Sequence, residues 1–105
     1  VLFRAMGLRG EVILPSFTFV ATAHTLEWEG LTPVFADVDP ATHNLDPEHV
    51  AGLVGPRTAA IVGVHLWGRP CAVDALPALA DRHRVKLGFH AAHAIGCTHR
   101  RRPLG

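Results

Sequence analysis

The hydrophobic positions of this chain fall into short apolar runs separated by stretches with helical spacing. Residues 11–15, 32–38, 58–64 and 85–90 are runs rich in β-branched and apolar side chains. The runs at 58–64 and 85–90 lack polar alternation, the pattern of parallel strands buried on both faces. Between them, Phe19, Val20, Ala23 and Leu26 recur at helical spacing before Gly30, with Ser16 or Thr18 as the capping hydroxyl. Asp46-Pro47-Glu48 is a helix start, joining a capping carboxylate to a proline in the first turn. Residues 72–83 predict a helix with Leu76, Leu79 and Ala80 inward, and Asp74 as the cap that leaves Pro77 in the first turn. Residues 2–8 read as the tail of a helix ended by Gly7 or Gly10, residues 96–99 as extended, and residues 100–105 as a basic turn. Strands alternating with helices predict an α/β fold, a mainly parallel sheet flanked by helices and joined by right-handed crossovers.

In such sheets, sites lie outside the carboxyl ends of the strands. The last strand runs into a small-residue corner, His90-Ala91-Ala92-His93, which makes that corner the candidate site. His65 closes another strand and either approaches the same crevice or caps its loop. Trp67 reads as packing or a subunit contact.

Composition narrows the class. With 49% hydrophobic residues and a net charge of +1, the chain has the make-up of a globular domain, with no electrostatic case for nucleic acid or a membrane surface. No apolar run approaches the ~20 residues that span a bilayer. Its 105 residues suit one domain or part of one, and a start on Val without a leader suggests a piece of a longer, cytoplasmic protein. Cys71 and Cys97 stand in unlike contexts and read as reduced thiols.

Four segments carry a family resemblance. They are Glu11-Val12-Ile13-Leu14-Pro15-Ser16-Phe17-Thr18-Phe19-Val20-Ala21-Thr22-Ala23, Thr32-Pro33-Val34-Phe35-Ala36-Asp37-Val38-Asp39-Pro40, Val64-His65-Leu66-Trp67-Gly68 and Ala91-Ala92-His93-Ala94. Together they resemble the DegT/DnrJ/EryC1/StrS family of pyridoxal-phosphate sugar aminotransferases, which have the aspartate aminotransferase fold, fold type I. The resemblance implies that residues 1–105 are part of the large cofactor-binding domain, truncated at both ends. It implies pyridoxal 5'-phosphate as cofactor, a keto-sugar nucleotide and an amino donor such as glutamate as substrates, and a homodimer. At matching positions Phe19 would stack on the cofactor ring and His93 would bond its ring hydroxyl. His90 stands where the family has an aspartate against the ring nitrogen, and Phe89 where it often has a glutamate.

No catalytic residue is carried over, because the family's Schiff-base lysine lies downstream of these residues. Lys86 is the sole lysine of the chain and reads as a surface residue of the last strand. A carboxylate keeps the ring nitrogen protonated by opposite charge, and a neutral imidazole at His90 lacks that charge. The expectation is a truncated or degenerate copy, inactive by itself. Three other readings compete. His90, His93, Cys97 and His99 supply four zinc-type donors within ten residues. Arg100, Arg101 and Arg102 with His99 could form a phosphate or nucleic-acid contact, although three arginines without an aromatic platform usually form a solvated tail. The chain could also be a non-catalytic, dimerising remnant.

Overall fold

The computed structural model describes residues 2–104. Its elements are α1 (Leu2–Ala5), β1 (Glu11–Pro15), α2 (Ala21–Trp28), β2 (Thr32–Ala36), α3 (Pro47–Leu53), β3 (Thr58–Val64), a 3-10 turn (Leu66–Gly68), α4 (Ala75–His83), β4 (Lys86–His90), β5 (Thr98–His99) and β6 (Arg102–Pro103). The first four strands form one sheet in the order β2-β1-β3-β4, parallel throughout, and β5 and β6 form a small antiparallel hairpin. This is the mainly parallel α/β architecture that the alternating pattern predicts.

Successive side chains of a strand point to opposite faces, so each central strand feeds two cores. Ile13 of β1 and Ile61 of β3 pack with Val50 of α3 and with Leu76, Leu79 and Ala80 of α4. Val12, Leu14, Ala60 and Val62 face the other way, onto Leu26 of α2 and Phe3 of α1. Burying an aliphatic side chain of this size contributes roughly 1.5–3 kcal/mol. The two central strands therefore supply most of the reason the layers stay together.

From β1 the chain moves outward to β2, returns across β1 to β3 and continues to β4. β1 and β3 are neighbours at the point where the order reverses. The crevice at such a reversal is the usual ligand position in open α/β sheets.

Several expected boundaries and roles shift. β2 stops at Ala36 rather than Val38, which instead bridges Leu45. Thr32, Phe35 and the half-buried Pro33 show β2 to be an edge strand, where a missing amide donor is tolerated. β4 is also an edge among the described residues: only β3 pairs with it, and Lys86 and Phe89 are exposed.

α2 begins at Ala21, with no side-chain cap, and neither Ser16 nor Thr18 caps it. The Thr18 hydroxyl goes to the Thr22 hydroxyl at 3.1 Å. Phe19 and Val20, expected inward, are 63% and 55% exposed because they precede the helix instead of lying on its buried face. Leu26 alone of the four is fully buried.

α4 begins at Ala75, later than residue 72, and Pro77 falls in its first turn as expected. Asp74 makes no cap bond, because its carboxylate pairs with Arg100 at 2.9 Å. Asp46 does cap α3, accepting from the Glu48 amide at 2.9 Å. At Gly10 the backbone adopts φ 105°, and a Cβ there would lie 2.5 Å from the Arg57 carbonyl oxygen. That close approach lets the Glu11 amide reach the same oxygen at 2.9 Å and start β1 beside β3.

Candidate functional site

The carboxyl ends of β1, β3 and β4 bring three loops together. Beyond β1, Phe19 sits one turn ahead of Thr22, whose amide donates to the Phe19 carbonyl at 3.0 Å. Thr22 is buried, and its hydroxyl lies 3.0 Å from Nδ1 of His90 at the end of β4. A line of polar groups, Thr18 to Thr22 to His90, thus ties the loop after β1 to the far strand. Thr22 and His90 also form the polar end of a cavity of about 300 Å³ between α1, α2 and β4, whose other walls are mainly apolar.

His93 follows on the turn after β4. Its Nδ1 accepts from the Trp67 amide at 3.5 Å, a long bond that links it to the loop after β3. Phe19, His90 and His93 therefore belong to one connected edge of the sheet. Sequence reasoning missed the connector, Thr22, whose partner His90 lies 68 residues further along the chain.

His65 takes the loop-capping role. It is 2% exposed, its Nδ1 accepts from the Cys71 amide at 3.1 Å, and its ring stacks on Phe89 with centroids 5.2 Å apart. Since Nδ1 is an acceptor, neutral His65 carries its proton on Nε2. Asn44, also missed, is buried and ties two loops: its Oδ1 accepts from the Leu66 amide at 3.3 Å and its Nδ2 donates to the Pro70 carbonyl at 3.1 Å.

Electrostatics favour neutral imidazoles at the centre. Burial pushes His90 below its ordinary pKa, and the charge of a protonated His93 adds to the shift. Burial alone lowers His65 and raises the Cys71 thiol to about 12. Cys71 and Cys97 are both free.

The zinc reading does not survive the geometry. Among the described residues no three His, Cys, Asp or Glu side chains converge as a metal site. His90 turns Nδ1 to Thr22 and His93 turns Nδ1 to Trp67, while Cys97 and His99 run on into the hairpin. The arginine run forms that hairpin's tight turn, with Arg100 and Arg101 in the left-handed region at φ 48° and 65°. Lys86 opens β4 and His90 closes it, ~13 Å apart at about 3.3 Å per residue.

The sequence profile of the DegT/DnrJ/EryC1/StrS aminotransferase family matches residues 1–105. This chain belongs to that family. The dTDP-4-amino-4,6-dideoxy-D-glucose transaminase of Escherichia coli is 40% identical over 93 residues, which are 89% of this chain and 25% of the relative. The crystal structure of DesI in the presence of its TDP-sugar product superposes with a TM-score of 0.96 at 63% identity, over 99% of this chain and 26% of that one. NtdA from Bacillus subtilis, solved with bound cofactor PMP, superposes with a TM-score of 0.89 at 32% identity, over 91% and 22% of the two chains.

The chain spans about a quarter of the length of the curated relatives it matches. The parallel sheet is the fold that it shares with these fold type I sugar aminotransferases. No helix among the described residues is long and apolar enough to cross a membrane.

A pyridoxal group presents a flat ring, a ring hydroxyl and a ring nitrogen. An exposed aromatic at Phe19 and imidazoles at His90 and His93 suit the ring and its hydrogen-bonding atoms. The corner from residue 89 to residue 94 carries no carboxylate to match a protonated nitrogen.

Proposed function

We propose that this chain is one portion of the cofactor-binding domain of an enzyme that moves an amino group from a donor such as glutamate onto a keto-sugar nucleotide. Pyridoxal 5'-phosphate is the cofactor, held at the carboxyl edge of the sheet. The observation that carries this reading is the Thr22 link, which joins the Phe19 turn to His90 in a corner shared with His93. When bound, the cofactor supplies an electron sink for the carbon that carries the amino group.

Phe19 stacks on the cofactor ring, His93 bonds the ring hydroxyl, and His90 stands at the ring nitrogen. A neutral imidazole fixed by Thr22 gives that nitrogen a hydrogen bond without a charge. Burial opposes the imidazolium. This copy therefore holds the cofactor while lacking the group that keeps its nitrogen protonated. Lys86 is at the wrong end of β4 to reach this edge, so these 105 residues alone do not turn over.

The reading includes a homodimer, supported by the exposed apolar side chains Trp28 and Phe35. The same side chains favour a second reading, a non-catalytic remnant that dimerises. Two free cysteines fit a reducing, cytoplasmic setting.

Titration of the purified protein with pyridoxal phosphate, followed by absorbance and equilibrium dialysis, tests the proposal. Saturable one-to-one binding is expected, weakened about fivefold by Phe19→Ala, since an offset ring stack is worth roughly 1 kcal/mol. No saturable binding, with a dimer in light scattering, would leave the remnant as the better reading.

A further inference from the structure

Three aromatic side chains that the cofactor reading leaves unused meet at the same edge. Phe17 follows β1, His43 lies in the loop after β2, and Trp67 lies in the turn after β3. Trp67 meets both of the others at steep angles, with ring centroids 5.8 Å from Phe17 and 5.6 Å from His43. Phe17 and His43 lie 5.9 Å apart. The trio is closed on itself, yet Trp67 remains 62% exposed and Phe17 47% exposed.

The arrangement is held against a cost. His43 and Trp67 both adopt left-handed backbone, at φ 59° and 51°, which bulky side chains rarely do. His43 Nδ1 is buried with no partner. Strain that the surrounding structure maintains is concentrated at ligand sites.

The surroundings do fix it. Asn44 ties the His43 loop to both ends of the Trp67 turn, and Arg69 donates to the Ala41 carbonyl at 3.3 Å. A Cβ on the next residue, Gly68, would meet Cys97 Sγ at 3.0 Å and the His93 carbonyl oxygen at 3.4 Å. The Trp67 turn is therefore seated directly on the His93 corner, and its amide points at His93 Nδ1.

We propose that Trp67, braced by Phe17 and His43, is the platform that holds the apolar face of a hexopyranose ring beside His93. The inference rests on the cofactor reading, because that reading puts the reacting end of the substrate at His93. An aromatic face carries partial negative charge and attracts the weakly positive C–H groups of a sugar ring. Because Trp67 adjoins His93, it meets the sugar before the more distant base or diphosphate.

The test uses the Trp28→Phe background, in which Trp67 is the sole tryptophan, with UDP-glucose as the probe and UDP alone as the control. Saturable quenching of Trp67 emission is expected with UDP-glucose, with half-saturation at a concentration at least tenfold lower than for UDP. Equilibrium dialysis should show at least tenfold weaker UDP-glucose binding in Trp67→Ala and less than threefold weakening in Trp67→Phe, which keeps an aromatic face and guards against a folding defect.

Equal half-saturation by UDP would assign the contact to the base or diphosphate and overturn the proposal. So would unchanged dialysis with Trp67→Ala, or emission that responds only to protein concentration, the mark of a second copy on the platform. Pyridoxal phosphate binding in the same samples separates the two claims. If the cofactor binds and Trp67 is silent, the platform alone fails; if the cofactor does not bind, the underlying reading fails.

Discussion

Replacing Thr22 with valine removes one oxygen from the line that joins the Phe19 turn to β4. Thr22 is 4% exposed, and its hydroxyl is shared between Thr18 at 3.1 Å and His90 Nδ1 at 3.0 Å. Valine keeps the shape, so packing changes little and the added methyl favours folding slightly. Thr18 is only half-buried and can turn to water. His90 Nδ1 is the group left without a partner.

A net hydrogen bond is worth about 1 kcal/mol, and a polar atom stranded in a partly buried place adds to the loss. The expected destabilisation is ~1–2 kcal/mol, or a fall of roughly 4–8 °C in Tm for a domain near this size. Urea unfolding of the wild type, Thr22→Val, His90→Ala and the double variant measures it, with m unchanged across the set. A coupling of ~1 kcal/mol between the two sites is expected. Coupling near zero, or a Thr22→Val midpoint equal to the wild type, would show that the hydroxyl does not hold His90 and would remove the connector from the site.

Two further outcomes follow from the same structure. Gly10→Ala should destabilise by more than ~2 kcal/mol in urea unfolding, because the new Cβ would meet a backbone oxygen at 2.5 Å and φ 105° disfavours any side chain; a loss under ~0.5 kcal/mol would refute the close approach. Stability should also fall on mild acidification. His65 and His90 have folded pKa values below the ordinary 6.5. The unfolded chain therefore binds protons first, and stability complete above about pH 6.5 is lost as pH drops from there towards the lowered values. His65→Asn should flatten part of that slope in Tm measured from pH 7.5 to pH 5, and a Tm that rises on acidification would contradict the assignment.

Much of the fold was legible because its signals are local. β1 and β3 begin and end where the apolar runs do, and Asp46-Pro47 starts α3 as capping chemistry requires. What sequence could not supply was neighbourhood. The run at β4 has the composition of a buried strand, and among the described residues only β3 pairs with it. Asp74 has the spacing of a cap, but Arg100 from the distant hairpin takes its carboxylate.

The candidate site divides the same way. The corner of His90 and His93 was visible as the end of a strand, and the family motifs named Phe19. Thr22, Asn44 and the aromatic trio were invisible because each acts across 20 or more residues of sequence to a partner on another loop. The four donors of the zinc reading were close in sequence, but among the described residues no three of them converge.

The most direct measurement of the central claim is the protonation state of the cofactor ring nitrogen, read by 15N NMR with ring-labelled pyridoxal phosphate bound to the protein. With a neutral imidazole at His90, the ring nitrogen is expected to be unprotonated in the wild type and protonated in His90→Asp. A protonated nitrogen in the wild type, or a signal indifferent to His90→Asp, would contradict the placement of His90 at the ring nitrogen.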